Sequence, residues 1–318
     1  MEDFKLTDEE LFSRVDSSSI SSEKITAPRY SYWKSVARVF FKKKINWIVL
    51  TLLAIIVVFS FIYPLIVDFD PFSEISDISR QHLSPSAAIE KFGFSFHYIL
   101  GTGSSGESIF DSTWYAAKTS LSLAIVCAVI NLTVGILVGA IWGFSKKVDV
   151  VMQEVYNIIA NVPYILFVSV FVFVVGSGFW PFVAALTITG WLGIAYFIRT
   201  QVIIIRDREY NLASKCLGTP IFRLTLKNIL PFLTSVIVTI AATEVPSYIS
   251  YEVFLSYIGI GLSAQESSLG RMISTAQGSF TVYPWEFWAP VFIASFVTIV
   301  LYVVGQNLGD ASDPRTHM

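Results

Sequence analysis

The stretch Arg206–Pro231, RDREYNLASKCLGTPIFRLTLKNILP, is a charged island in a very apolar chain. Tyr210, Ala213, Ser214 and Leu217 recur in it at helical spacing and predict a short helix with a small apolar face. Gly218 follows at once, and glycine is the residue that most readily ends a helix in the left-handed conformation. Thr219 is then a good N-cap, and Pro220 stands at the first position of a second helix. Leu-Gly-Thr-Pro therefore reads as stop, turn, cap and start. The second helix carries Ile221, Leu224 and Asn228 on one face and runs into Pro231 at a membrane edge. The small residues Ala213, Ser214 and Gly218 allow close approach of another surface. A helix pair of this kind, placed between two membrane spans, suits presentation to a soluble partner. The plainer reading is a connecting loop resting on the inner leaflet.

What flanks the island is apolar on both sides. The chain has 318 residues, 54% hydrophobic and 14% charged, and its mean hydropathy is +0.63. Soluble domains carry about a quarter charged residues, so the composition is that of an integral membrane protein. A helix needs about 20 apolar residues to cross a bilayer core. Residues 46–67 and 119–145 are two such uncharged runs. Between Glu154 and Arg199 no residue is charged, which is too long for one crossing, and Gly176–Pro181 divides it into two. Residues 232–255 form a fifth segment, interrupted by Glu244 and Pro246, and 287–309 a sixth. The expected fold class is all-α, with six transmembrane helices. The first apolar run starts too late and runs too long for a cleaved leader. Cys127 lies in an apolar run and Cys216 in the island, so no disulfide is expected.

Basic residues set the orientation. Arg29, Lys34, Arg38, Lys42, Lys43 and Lys44 precede the first span without an acid among them. Lys146 and Lys147 lie between spans two and three, and the island supplies Arg206, Arg208, Lys215, Arg223 and Lys227. Residues 68–118 hold seven acids against Arg80, Lys91 and Lys118. Both termini and the island are therefore expected in the cytoplasm of a cell whose plasma membrane the chain crosses. The expected segments are a cytoplasmic tail over 1–45, a first span with an extracellular stretch over 46–118, a five-helix core over 119–310 and a cytoplasmic tail over 311–318. The acidic, Ser-rich residues 1–27 are expected to be disordered. Ile109, Phe110, Thr113, Trp114 and Ala117 share a helical face, which reads either as an interfacial helix on the outer leaflet or as the start of span two. Residues 263–285 are expected to line an outer gate or contact an external partner.

Few polar groups fall inside the spans, and those few are candidates for a path. An ionised carboxylate at the depth of Glu244 is costly unless it faces a cavity or a partner. Tyr248, Tyr251 and Glu252 continue roughly the same face. A carboxylate there suits an ammonium group in transit, whereas a neutral helix contact is the plainer use. Glu252, nearer the outer surface, suits a gate or loop-positioning residue. Gln153, Asn157 and Asn161, at four-residue spacing, line the path or bond between helices. Asn131, Gly135 and Gly139 read as a close-packing face. The sequence has no G-x-x-x-x-G-K-[ST], so nucleotide chemistry is not expected of this chain.

The island resembles the EAA loop of the membrane subunits of bacterial ABC importers. Ala213, Gly218, Leu230 and Pro231 match that motif, while Leu212 stands for its glutamate, Ser214 for its second alanine, and Asn228 near a common histidine. LGTGSSGES (Leu100–Ser108) is similar to the family's GTDxxGRD segment, with both aspartates lost. Residues 115–121 look like the family's start of the second span. EVFLSYIGIGL (Glu252–Leu262) resembles its ExxLSFLGLG run, and LGRM (Leu269–Met272) with NLGDASDPR (Asn307–Arg315) resembles the end of the C-type permease of peptide importers. The likeness covers about residues 32–315 and points to the Gram-positive oligopeptide branch.

The resemblance implies a type I ABC importer permease fold with no catalytic residue and no metal or cofactor of its own. Its implied partners are a homologous B-type permease, two ABC ATPases that hold ATP and Mg, an extracellular peptide-binding lipoprotein, the peptide itself and membrane lipid, but no nucleic acid. It makes residues 210–217 a coupling helix seated on one ATPase, with Glu209, Tyr210, Leu212, Ala213, Ser214, Leu217, Gly218, Thr219, Pro220 and Pro231 as coupling residues. Nickel is the rival cargo of the importer reading, and a path without histidine disfavours it. Outside that reading stand a self-contained channel or secondary transporter, against which no internal repeat is evident, and a passive membrane anchor.

Overall fold

A computed structural model describes residues 31–67, 69, 77–263 and 265–313, without the side chains of Ile221 and Phe222. The expected disorder over 1–27 lies outside these residues. The described residues are almost wholly helical. Five helical stretches are long and apolar enough to cross a membrane: Lys44–Ile66, Ile109–Phe144, Phe179–Arg206, Thr225–Tyr257 and Pro284–Ser312. A bent pair, Lys146–Ala160 and Tyr164–Val175, makes a sixth crossing if it is one span.

The chain begins with α1 (Tyr32–Lys42), whose Val36 and Phe40 pack on Ala311 near the chain's other end. The first span is α2 (Lys44–Val57), prolonged by a π-turn at Val58–Ile62 and a last turn at Tyr63–Ile66. After α3 (Pro85–Phe92) the loop at Gly101–Ser108 folds back through a bridge between Thr102 and Ser108. Two histidine–carboxylate pairs strap this segment to the spans: His97 Nδ1 to Asp111 at 2.7 Å and His82 Nδ1 to Glu286 at 2.6 Å.

The second span is α4 (Ile109–Phe144), one unbroken helix of 36 residues. The interfacial helix considered for residues 109–117 does not form. Ser108 caps α4, its Oγ accepting from Asp111 N at 3.1 Å, and Ile109, Trp114 and Ala117 are buried. Trp114 and Ala117 of this face pack on Leu269 and Ile273. The segment boundary at 118/119 thus falls inside a continuous helix.

The third span departs most from expectation. α5 (Lys146–Ala160) and α6 (Tyr164–Val175) meet at 79°. Pro163 lacks an N–H and disfavours helical geometry at Val162, so the helix stops there. α6 has 12 residues, about 18 Å of helix, which is short of a bilayer core of about 30 Å. The break at Gly176–Gly178 then leads into α7 (Phe179–Thr187) and α8 (Trp191–Arg206).

α9 (Glu209–Cys216) and α10 (Ile221–Leu224) form the island. A π-turn at Thr225–Ile229 and a 3₁₀ turn at Leu230–Leu233 join it to α11 (Thr234–Tyr257). Pro246 does not interrupt α11. It leaves the Ala242 carbonyl without its helical donor, and Gly305 provides the room for that oxygen. α12 (Leu269–Ala276) is a short helix between the spans, and α13 (Pro284–Ser312) is the last span.

The main core joins α2, α4, α6, α7, α11 and α13 around Ile56, Leu123, Val168, Phe182, Ile249 and Val297. A second cluster lies towards the island. There Gly135, Gly139 and Gly143 of α4 meet α8 at backbone distance: a Cβ on Gly139 would stand 2.5 Å from the Ala195 carbonyl oxygen. Without a hydrophobic drive between helices in lipid, close backbone packing of this kind holds spans together.

Candidate functional site

Two places carry the candidate residues: the island and a cavity between α6 and α11. In the island, the two halves differ in burial. Leu224, Ile229 and Leu233 are buried against Ala140 and Phe144 of α4 and Ile198 and Val202 of α8, so the second half is an anchor. α9 stands out from it. Of its residues only Asn211 is buried, while Tyr210, Leu212 and Ala213 are exposed and Leu217, just after it, is 87% exposed. Glu209 lies in the exposed first turn, and Ser214 is half-buried.

The turn after α9 is built as its sequence demands. Gly218 has φ +80, Thr219 N donates to Ser214 O at 3.1 Å, and Gly218 N donates to Lys215 O at 3.0 Å. This paired bonding is a Schellman stop. The second helix starts at Ile221, one residue later than expected, so Pro220 and not Thr219 stands before it and accepts the first helical bond from Leu224 N. Pro231 is the second residue of the 3₁₀ turn and is exposed.

Asn211 is the residue that sequence reasoning missed. Its Nδ2 donates to Ile205 O at 2.9 Å, and its Oδ1 accepts from Asn228 at 3.4 Å. It thereby ties α9 to the end of α8 and to the anchoring half. A fully buried asparagine on an otherwise exposed helix carries no signal in spacing, because its partners are a backbone carbonyl and a residue far along the chain.

The cavity has a volume of about 730 Å³, and Glu244 is its one charged side chain. Glu244, Ser247, Tyr248 and Tyr251 come from α11, Tyr164 and Phe167 from α6, and Tyr156 from α5. The Tyr248 hydroxyl accepts from Asn131 Nδ2 at 2.6 Å and bonds the Glu244 carboxylate. Tyr164 donates to Leu186 O at 2.7 Å, and its ring lies 5.2 Å from that of Tyr251. Tyrosines thus supply most of the polar edge around a single carboxylate. Tyr164, next to the α5–α6 break, joined this wall only once Pro163 had turned the chain.

The other path candidates lie elsewhere. Glu252 is fully buried and accepts from Ser120 Oγ at 2.8 Å, Ser256 Oγ at 3.0 Å and Ser268 Oγ at 2.6 Å. It joins α4, α11 and the cap of α12, and is not on the cavity wall. Gln153, Asn157 and Asn161 are not on the wall either. Gln153 donates to Asn157 Oδ1 at 3.0 Å and Asn161 donates to the Asn157 carbonyl, so the three bond along their own helix end. They lie on a different face of the chain from Tyr156 and Ile159, which do reach the cavity. At the foot of α5, Arg199 and Trp142 hold Asp149 at 2.5 and 2.8 Å, which clamps α5 to α4 and α8.

Comparison with known proteins shows the family. Residues 132–318 match the family described as the inner membrane component of binding-protein-dependent transport systems. Residues 31–85 match the N-terminal transmembrane domain of oligopeptide transport permease C. The oligopeptide transport system permease protein AmiD of Streptococcus pneumoniae is 46% identical over 98% of both chains. The oligopeptide permease OppC of Bacillus subtilis is 32% identical over 96% of this chain and 97% of its own. The dipeptide permease DppC of the same organism is 31% identical over 92% and 89%. This chain therefore belongs to the binding-protein-dependent transport permeases, as a non-catalytic membrane component of the oligopeptide permease C type.

Proposed function

We propose that this chain is the C-type permease of an ATP-driven peptide importer in a bacterial plasma membrane, with both termini in the cytoplasm. A homologous B-type permease encloses the path with it. Two ATPases, which carry the ATP and Mg, dock beneath, and an extracellular lipoprotein delivers peptide. The observation that carries this reading is the split island: an anchored second half and a protruding α9 whose Leu212 and Leu217 are exposed among the described residues, with Tyr210 partly exposed and stacked on Phe232. Such a helix transmits a push from a soluble partner to α8 and α11. Peptide is supported as cargo by the relatives, whose names state oligopeptide or dipeptide transport. The test is a mild-detergent pull-down of the tagged chain from its native membrane. Recovery with a second permease and two ATPases is expected, and recovery of a stable lone chain sinks the proposal.

Two variants probe the parts. Gly218→Val places a β-branched residue at φ +80 and costs about 1–2 kcal/mol at the turn, while its Cβ meets no described atom within 4 Å. The complex is expected to assemble with peptide uptake lost and ATP hydrolysis no longer coupled to peptide. Uptake at the wild-type rate would refute the coupling role. Glu244→Gln removes the cavity's one charge. Loss of a charge-assisted bond of about 1.5–3 kcal/mol slows uptake of a peptide with a free N-terminus by about tenfold or more. Uptake of the N-acetylated peptide should not change, and an equal loss for both peptides would count against the ammonium contact.

A further inference from the structure

A second cavity of about 490 Å³ lies further along the same helix pair. Ser169, Val172 and Phe173 of α6 line it, as do Ser256 of α11 and Ser263, Arg271 and Ser274 beyond. Its one charged side chain is Arg271, and there is no carboxylate on its wall. Leu269, Gly270, Ile273 and Ala276 are the buried side of α12, which leaves Arg271 and Ser274 on the other.

Arg271 also borders a smaller outer cavity with Glu107, Glu266 and Glu286, but makes no ion pair within 4 Å among the described residues. Those acids are already engaged. Glu266 accepts from Phe179 N at 2.9 Å and from Ser263, Glu107 accepts from Ser105 N at 2.8 Å, and Glu286 pairs with His82. The guanidinium has five N–H donors, and among the described residues its one acceptor is the Leu262 carbonyl at 3.5 Å, the limit of a hydrogen bond. A half-buried guanidinium with most of its donors free, set among serine hydroxyls, is built to take a carboxylate.

The two cavities share α6 and α11, one with a lone carboxylate and one with a lone guanidinium. We propose that Arg271 receives the C-terminal carboxylate of a peptide in transit, so that Glu244 and Arg271 hold the two ends of a zwitterionic chain. The inference rests on the peptide-import reading above. From Glu244 to Ser256 along α11 is about 18 Å at about 1.5 Å per residue. An extended peptide spans at most about 3.3–3.6 Å per residue, so about five or six residues reach from Glu244 to Ser256 on the wall of the second cavity, which Arg271 also lines. The hold is transient, since a path must release what it binds.

The test uses the complete importer in proteoliposomes, with its own binding protein, and a labelled hexapeptide as free acid and as C-terminal amide. The readout is the ratio of the two uptake rates in wild type divided by the same ratio in Arg271→Gln, so selection by the binding protein cancels. Arg271→Gln is expected to lower the free-acid preference about tenfold, the loss of one charge-assisted bond. Arg271→Lys should restore part of it. An unchanged preference in Arg271→Gln overturns the inference. Should that variant not assemble, a hexapeptide with a photoreactive C-terminal residue is crosslinked in the wild-type importer. Label in residues 256–274 supports the assignment, and label confined elsewhere overturns it. Failure of wild type to take up either peptide would instead reject the peptide reading itself.

Discussion

Glu252→Ala is expected to destabilise the permease by about 3 kcal/mol and to lower the thermal midpoint of the purified complex. The carboxylate is fully buried and is the common acceptor for Ser120, Ser256 and Ser268. Alanine strands three hydroxyls in the core, each at a cost of about 1–3 kcal/mol, offset where a serine rotates back onto its own helix. The loss spreads further, because Ser120 Oγ accepts from Leu269 N at 3.1 Å and Ser268 Oγ caps α12 through Arg271 N at 3.2 Å. Glu252→Gln keeps one oxygen acceptor and should lose less. A midpoint for Glu252→Ala equal to wild type would show that the network does not hold α12.

Gly139→Leu should prevent the permease from accumulating in an assembled complex. Beyond the Ala195 carbonyl, a Cβ at this position meets Ala195 Cα and Ile198 Cβ at 2.9 Å. Neither neighbour is the loose end of a flexible side chain, so α4 and α8 must separate. Overpacking costs about 1–3 kcal/mol or more, and here it also opens the contact that seats Leu224 and Ile229 of the island. Gly193→Ala is the control, since nothing lies within 4 Å of its added methyl group. Membrane fractionation and the yield of complex distinguish the two variants, and normal assembly of Gly139→Leu would contradict the packing argument.

Much of the island was legible because its signals are local. Gly218 stops α9 through its own backbone conformation, and the stripe Gly135–Gly139 marks a close contact through size alone. The second span was legible as a run but not in its length. The apolar face of residues 109–117 looks the same whether it meets lipid or Leu269, and the latter lies far along the chain. The path stripe was half legible. Glu244, Tyr248 and Tyr251 share a helix face that does open on a cavity, whereas Glu252, close to that face, turns into the core because serines from three elements converge on it.

By itself the sequence determined that this is a helical membrane protein, where most of its spans lie, and that a helix–turn–helix island interrupts them. Hydropathy, helix-stopping residues and charge are properties of neighbouring residues, and a bilayer reads them locally. Only the tertiary structure decided which polar groups face a cavity and which face the core. It turned α6 by 79° at Pro163, buried Asn211 of α9 against the end of α8, and placed Glu244 and Arg271 on two cavities of one helix pair. Those outcomes depend on partners distant in the chain, and no spacing rule along a single helix encodes them.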